Sequence, residues 1–574
     1  MKRVDPVTLP LQGKIVIEAS AGTGKTYTIT SLYLRLLLER KLSPKAILVV
    51  TFTRAATAEL RERIRQRLQR ALMQLDAVAR DPASAPRNDD TVLAALIANA
   101  EATPTALRAR LEAAIDELDE APVFTIHGFC QRALGDHAFE SSADLDVDVI
   151  ADASPLLEEI ADDFTIRELA EGDEGRAALL QDVHRSLLPL AKAALASQDM
   201  RVLPASAHAP PLDLTRFRTL QSECLRLLEQ DGTQLREALA RVPKIASYLE
   251  TWLPKVEWSL RAPYPPIFDD EPAMLALTRS GVDKKVAQSK KGTPRPEHPF
   301  FERMGELQAE EQELLARADE ARVELRRRFV GSAGQELAAR TRQRSKSTFD
   351  ALLVQVSTAL GGEQGAALCD ALQGKYSVAL LDEFQDTDPL QYAIFERLFG
   401  QPPRALFMIG DPKQAIYAFR GADVLAYMGA REDAGENVYT LDVNYRSDPG
   451  LIAALNAAYA ASPSPFGRAD IAYVPISARP GCRDGVAPSP EDPRRALDVV
   501  MFDDKDGDAL IERVATDLVD LLRTGTLRTP QDGPARPLRP GDVAVLCRTN
   551  NEAAELAQAL TRRGVTSQLS ANES

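Results

Sequence analysis

Apolar positions in this chain follow two rhythms, and each predicts a different element. IVIE at Ile15–Glu18 is a short apolar run entering a Gly-rich turn. From about Thr26 to Arg40, Leu32/Leu36 and Tyr33/Leu37 recur at i,i+4, which predicts a helix. AILVVTF at Ala46–Phe52 is apolar without alternation, the pattern of a buried parallel strand, and AATAELRERIRQRLQRAL predicts the next helix. A β-α-β-α opening of this kind predicts a parallel α/β sheet.

The pattern then changes. From about Ala138 to Thr348 it is helix-rich, with Pro-containing breaks at Ala209–Leu212, Ala262–Ile267 and Thr293–Pro299. Strand-like runs resume with SVALLDE at Ser377–Glu383 and ALFMIG before Asp411. The expected organisation is one α/β domain over 1–137 and 349–445, interrupted by a helical insertion over 138–348. After Asp442 a helix at about Pro449–Tyr459 opens a second pattern, followed by a Pro/Gly/Ser-rich stretch, Ala461–Arg495. LDVVMF at Leu497–Phe502 and DVAVLC at Asp542–Cys547 predict strands around the helix Asp508–Arg523, and Asn551–Arg563 predicts a last helix. Residues 446–574 are read as the start of a second α/β domain.

Length and composition narrow the class. A chain of 574 residues suits two to four domains. No apolar run approaches the roughly 20 residues that span a bilayer. MKRVDPVTLPLQG lacks the apolar core of a secretory signal, so the expected location is cytoplasmic. Cys130, Cys224, Cys369, Cys482 and Cys547 are scattered, which argues against a zinc or iron–sulfur site and against a disulfide framework. Cys130 reads as a small buried apolar residue. The net charge of −15 is wrong for a protein that coats nucleic acid by bulk attraction. Local basic runs remain: Arg54 to Arg70, Lys284 to Arg295, Arg326–Arg328 and Arg340–Lys346; the alternative for each is a solvated helix face or loop, and for the last three it stands equally.

Three segments carry chemistry. Against the phosphate-loop pattern G-x-x-x-x-G-K-[ST], the chain has Ala19 first, then Ser20, Ala21, Gly22, Thr23, Gly24, Lys25 and Thr26. The glycines let backbone N–H groups turn inward around a phosphate; Lys25 reaches the β/γ-phosphates and the Thr26 hydroxyl is a Mg²⁺ ligand. LLDE at Leu380–Glu383 ends an apolar strand in two carboxylates: Asp382 to hold Mg²⁺, Glu383 to orient and deprotonate the attacking water. In GDPKQAIYAFRGAD, Gln414 at a strand exit is a candidate γ-phosphate sensor. Tyr417 and Phe419 beside Arg420 suit base stacking, although an aromatic is more usually core.

Taken in order, PLQGKIVIEASAGTGKTYTIT, VVTFTRAATAELRERIR, VFTIHGFCQRAL, LLDEFQDTDPLQY, IGDPKQAIYAFRGAD and LDVNYRS resemble the UvrD/Rep class of superfamily 1 helicases. Within that class they are similar to the RecB (beta) subunit family of exodeoxyribonuclease V, over most of residues 5–570. The resemblance implies a RecA-like P-loop fold, with the insertion as domain 1B and 446–574 as a partial second RecA-like domain, 2A. It implies ATP and Mg²⁺ as cofactors and 3′→5′ DNA helicase activity in recombinational repair of double-strand breaks. Phe52, Thr53, His127, Tyr417 and Phe419 would contact single-stranded DNA, and Arg446 in NYRS the γ-phosphate. Family members often carry Trp where Phe419 stands, and the usual adenine-reading Gln is not evident, Gln12 standing nearest. Implied partners are DNA and RecC-like gamma and RecD-like alpha subunits. The family's later catalytic Arg and RecB's nuclease domain are not found in these residues, so the chain is expected not to cut DNA. The rival expectation is a truncated chain that binds ATP and DNA without unwinding.

Overall fold

A computed structural model describes residues 1–80, 90–98, 103–137, 148–150, 152–171, 174–196, 212–262, 272–344, 346–417, 423–483, 485–487, 496–501, 507–527 and 535–569. It divides into two compact units, Met1–Ala143 with Leu353–Ser574, and Asp144–Leu352.

The first unit is built on a seven-stranded sheet. Its strands are β1 (Lys2–Arg3), β2 (Gly13–Ala19), β3 (Ile47–Thr51), β4 (Val123–Thr125), β5 (Val378–Leu381), β6 (Ala405–Gly410) and β7 (Val438–Leu441). They lie in the order β1-β7-β2-β6-β5-β3-β4, every pairing parallel. The expected α/β class and parallel sheet are therefore present. Strands β3, β5 and β6 are buried at every position, which is why their sequences run apolar without alternation. On one face, Ile15, Ile17, Ile47, Val49, Leu380, Phe407 and Ile409 pack with α1 (Lys25–Leu38) and α2 (Arg54–Arg80). The alternate residues Val16, Leu48, Ala379, Leu406 and Met408 are buried on the other face. That face meets α3 (Ile126–Asp136), α4 (Pro389–Phe399) and α5 (Val424–Asp433). Cys130 is buried there as a small apolar residue.

Parallel pairing has one decisive consequence for function. The segments following β2, β3, β4, β5, β6 and β7 all leave the same edge of the sheet. Among the described residues, every predicted site residue of this unit lies on one of them except Ala19, which ends β2.

Two predicted strands do not form. Leu497–Met501 and Asp542–Cys547 carry no strand pairing, Phe502 lying outside the described residues. Helices do form beside them, α6 (Gly507–Thr524) and α7 (Asn550–Arg562), sharing a small core of Ala515, Leu556, Ala559 and Leu560. Apolar runs become strands only where a neighbouring strand takes up their backbone N–H and C=O groups, and none is present here among the described residues.

The second unit is helical. Its longest element, Pro299–Gln343, has 45 residues and packs through Phe300, Phe301, Met304 and Leu307 into one apolar cluster and through Leu325 and Phe329 into another. Its basic runs are largely spoken for: Arg328 pairs with buried Glu168 at 2.8 Å, Arg340 with Asp163 at 2.6 Å and Arg344 with Glu159 at 2.6 Å. The same holds for α2 in the first unit, where Arg67 makes a buried two-pronged pair with Asp90. Among the described residues no helix is long and apolar enough to cross a membrane.

Candidate nucleotide and nucleic-acid site

Strand β2 ends at buried Ala19, and Ser20–Gly24 form the turn into α1. Thr23 closes the turn on the Ser20 carbonyl, through its N–H at 3.2 Å and its hydroxyl at 2.7 Å. Gly22 and Gly24 have φ of 78° and 97°, a region that side-chain-bearing residues avoid. A Cβ at Gly22 would also lie 2.6 Å from the Cβ of Arg446. No side chain caps α1 at Gly24, so the helix start presents its N–H groups and positive dipole end to whatever lies in the loop. Ala21 and Thr26 are exposed and Lys25 is half-buried.

Lys25 does not stand alone. Its Nζ lies 2.5 Å from Glu383 Oε2, a pair that joins the ends of β2 and β5. Glu383 sits at φ 51°, in the left-handed region, which costs a non-glycine residue about 1–2 kcal/mol. Its N–H donates to Asp382 Oδ1 at 3.0 Å. Burial, then repulsion by Glu383, pushes the Asp382 carboxyl up to about 6. Asp386 is also raised to about 6 for the same two reasons.

Gln414 donates to Asp411 Oδ2 at 2.8 Å, and Lys413 pairs with Asp411 Oδ1 at 2.7 Å. The link from there to the acids runs through Gln385. Its Nε2 donates to Glu383 Oε2 at 2.8 Å, and its Oε1 accepts the Asp411 N–H at 2.9 Å. Arg446 is brought to the phosphate loop by Asn444, whose Nδ2 donates to the Ala21 carbonyl at 2.8 Å. Asn444 Oδ1 accepts the N–H groups of Arg446 and Ser447, each at 2.8 Å. Tyr445 between them donates its N–H to the Gly22 carbonyl at 2.8 Å and leaves its ring 60% exposed beside the loop. Thus Lys25, Asp382, Glu383, Gln414 and Arg446 gather around one turn. Gln385, Asn444 and Tyr445 are the residues that reading the sequence missed. The available signal was polar residues inside otherwise apolar motifs, but that Gln385 and Asn444 are only 3% and 4% exposed is a tertiary fact.

Of the residues expected to meet nucleic acid, Phe52 and Tyr417 are brought together. Their rings stack with centroids 5.6 Å apart and planes at 27°. Thr53 is exposed, and its hydroxyl accepts the Ala56 N–H at 3.1 Å as α2 begins. His127 is half-buried in the first turn of α3, which starts from Thr125, the register partner of Thr51. It therefore leaves the strand beside the one that delivers Phe52. Phe419 lies outside the described residues. No cluster of three His, Cys, Asp or Glu side chains suited to a metal occurs among the described residues.

The chain is similar to the RecBCD enzyme subunit RecB of Escherichia coli (strain K12), at 34% identity over 97% of this chain and 48% of that protein. It is similar to the same subunit of Haemophilus influenzae at 30% identity (98% and 50%), and of Chlamydia trachomatis serovar D at 30% (80% and 44%). The chain spans about half the length of the first two of these curated relatives. The UvrD/REP helicase N-terminal domain matches residues 2–435, a span that takes in the phosphate loop, the acidic pair and the Gln414 turn. With that coverage, the chain belongs to the UvrD/REP helicase family.

Proposed function

We propose that this chain is the ATP-driven motor of a RecB-type DNA helicase, moving 3′→5′ on single-stranded DNA in the repair of double-strand breaks. The observation that carries the reading is the shared edge of one parallel sheet. It holds the Gly22–Thr26 loop, the Lys25–Glu383 pair, the Gln414 turn and the Phe52–Tyr417 stack. Nucleotide chemistry and base stacking therefore have a common frame.

The residues fit ATP·Mg²⁺. The uncapped α1 start and the two left-handed glycines make an anion cradle. The Thr26 hydroxyl and the Asp382 carboxylate are the hard oxygen donors Mg²⁺ takes, alongside phosphate and water oxygens, which needs no three-carboxylate cluster. Bound there, Mg²⁺ supplies charge neutralisation at the β- and γ-phosphates. Lys25 reaches the transferred phosphate, Glu383 takes the proton of the attacking water, and Gln414 and Arg446 read the γ-phosphate. The exposed Tyr445 ring offers the adenine a stacking face. Phe52, Thr53, His127 and Tyr417 face DNA, where each base stack is worth about 1–3 kcal/mol, and Phe419, outside the described residues, is given the same role from its motif alone. DNA ends and RecC-like and RecD-like subunits are the partners this reading calls for.

A second reading, an ATP- and DNA-binding chain that does not unwind, is favoured by one feature: the apolar runs at 497–501 and 542–547 have no strand partners among the described residues. A displacement assay on a duplex with a 3′ tail separates the two, unwinding by this chain alone excluding the second. Glu383→Gln tests the site itself. ATP binding should persist, while turnover falls by about 10²–10⁴ because an amide cannot take the proton. Normal turnover in that variant would remove Glu383 from its role.

A further inference from the structure

Asn444 is 4% exposed, and its backbone is fixed independently of its side chain. Val443 and Asn444 pair in parallel with Ser477 and Ala478, and the Asn444 carbonyl accepts the Arg479 N–H at 3.0 Å. The side chain is left to join two other segments. Its Nδ2 donates to the Ala21 carbonyl at 2.8 Å, and its Oδ1 gives both lone pairs to the N–H groups of Arg446 and Ser447. One amide thus shapes the turn that carries Arg446 and ties that turn to the phosphate loop. A second tie runs beside it, from the Tyr445 N–H to the Gly22 carbonyl at 2.8 Å. The fit is close: a Cβ at Gly22 would lie 2.6 Å from Arg446 Cβ and 3.0 Å from Asn444 Oδ1.

We propose that Asn444 is a positioning residue for Arg446, and through it sets part of the discrimination between ATP and ADP. The proposal rests on the reading given under Proposed function, in which Arg446 meets the γ-phosphate. ATP and ADP share the β-phosphate, so backbone N–H groups that cradle it bind both alike. A group that reaches only the γ-phosphate tells them apart. Arg446 is long and flexible, and a hydrogen bond weakens steeply once donor and acceptor are misaligned. Its guanidinium therefore needs a base held in register with the cradle. Ala21 and Gly22, whose carbonyls hold the turn, belong to that cradle, so turn and loop keep one geometry. Removing the Asn444 amide deletes the tie to Ala21 and frees two N–H groups of the turn together.

The test measures binding, so slow turnover does not obscure it. Affinities of the 574-residue chain for a non-hydrolysable ATP analogue and for ADP, each with Mg²⁺, are measured by titration calorimetry. Arg446→Ala should weaken the analogue by about 10–100-fold, the worth of a hydrogen bond to a charged group, and ADP far less. Asn444→Leu, close in volume but without polar atoms, should do the same. The double variant should lose no more than Arg446→Ala alone, because both changes remove one interaction. Asn444→Ser, which keeps an oxygen near the turn but cannot span to Ala21, carries the test if Asn444→Leu fails to fold. Losses that add in the double variant overturn the proposal, as does an equal loss for ADP, which would mark a merely structural role. Parent-like analogue affinity in the Asn444 variants, with the loss present in Arg446→Ala, overturns this proposal alone. Parent-like affinity in Arg446→Ala overturns the γ-phosphate role of Arg446 and the positioning with it. A parent that binds neither nucleotide overturns the ATP-driven reading as a whole.

Discussion

Two Val–Val pairs in this chain have opposite fates. In ILVVT, Val49 and Val50 are 0% and 1% exposed; in LDVVM, Val499 and Val500 are 81% and 64% exposed. The residues are the same and both runs predict strands. The first lies between β5 and β4, with hydrogen-bonded neighbours on either side and apolar faces covered. The second has no strand beside it among the described residues. DVAVLC shows an intermediate case: Cys547 packs on the α6–α7 core, while Leu546 on the other face is 98% exposed. An apolar run without alternation states that both faces need cover, but it does not supply the cover.

The largest expected difference is in amide exchange. Val49 and Val50 should exchange only through global opening, protected by roughly 5 kcal/mol or more, while Val499–Met501 should exchange with protection near zero. Equal protection at the two sites would show that the second run is paired in solution. A substitution contrast comes next. Val49→Asp places an unpaired charge in the sheet core and should cost more than about 4 kcal/mol, enough to prevent folding, whereas Val499→Asp should stay within about 0.5 kcal/mol. Thermal melts of the two variants decide this, and a severe loss in Val499→Asp would mean that its surface is covered.

The smallest effect sharpens the comparison through two aspartates. In the completed sheet, burial and then Glu383 push Asp382 up to about 6. In the open region, hydrogen bonds from Arg536, then from the Arg539 N–H, hold Asp542 down at about 2. The signs are opposite. Protonated Asp382 is favoured by folding, so its contribution is full below the ordinary carboxylate range and is lost as pH rises through about 6. Ionised Asp542 is favoured by folding, so its contribution holds above the ordinary range and is lost as pH falls toward 2. Carbon-detected carboxyl titrations in the absence of Mg²⁺ should show these midpoints, and Arg536→Ala should move Asp542 upward alone. Coincident midpoints near 4 would erase the contrast.

How much was legible follows the same line. The helices Lys25–Leu38, Arg54–Arg80, Pro449–Ala460, Gly507–Thr524 and Asn550–Arg562 and the strands Ile47–Thr51, Val378–Leu381 and Ala405–Gly410 match the periodicity that predicts them. Their apolar faces are written in consecutive residues. Lys25, Asp382, Glu383 and Gln414 could be singled out as candidates because phosphate chemistry would call for those types beside glycines and strand ends. Gln385 and Asn444 were not, since a buried amide looks like any other Gln or Asn until its partners, 26 residues away at Asp411 and 423 away at Ala21, are placed.

The sequence alone therefore determined where apolar faces lie, where the backbone can turn left-handed at Gly22 and Gly24, and which side chains have the chemistry for a phosphate and a metal. Those are local properties, set by a residue and its near neighbours. Tertiary structure alone decided that Lys25 meets Glu383 across 358 positions, that Phe52 meets Tyr417, and that Val49 is core while Val499 is surface. Strand pairing and burial depend on what lies alongside, and a backbone hydrogen bond or a covered face exists only when the partner arrives.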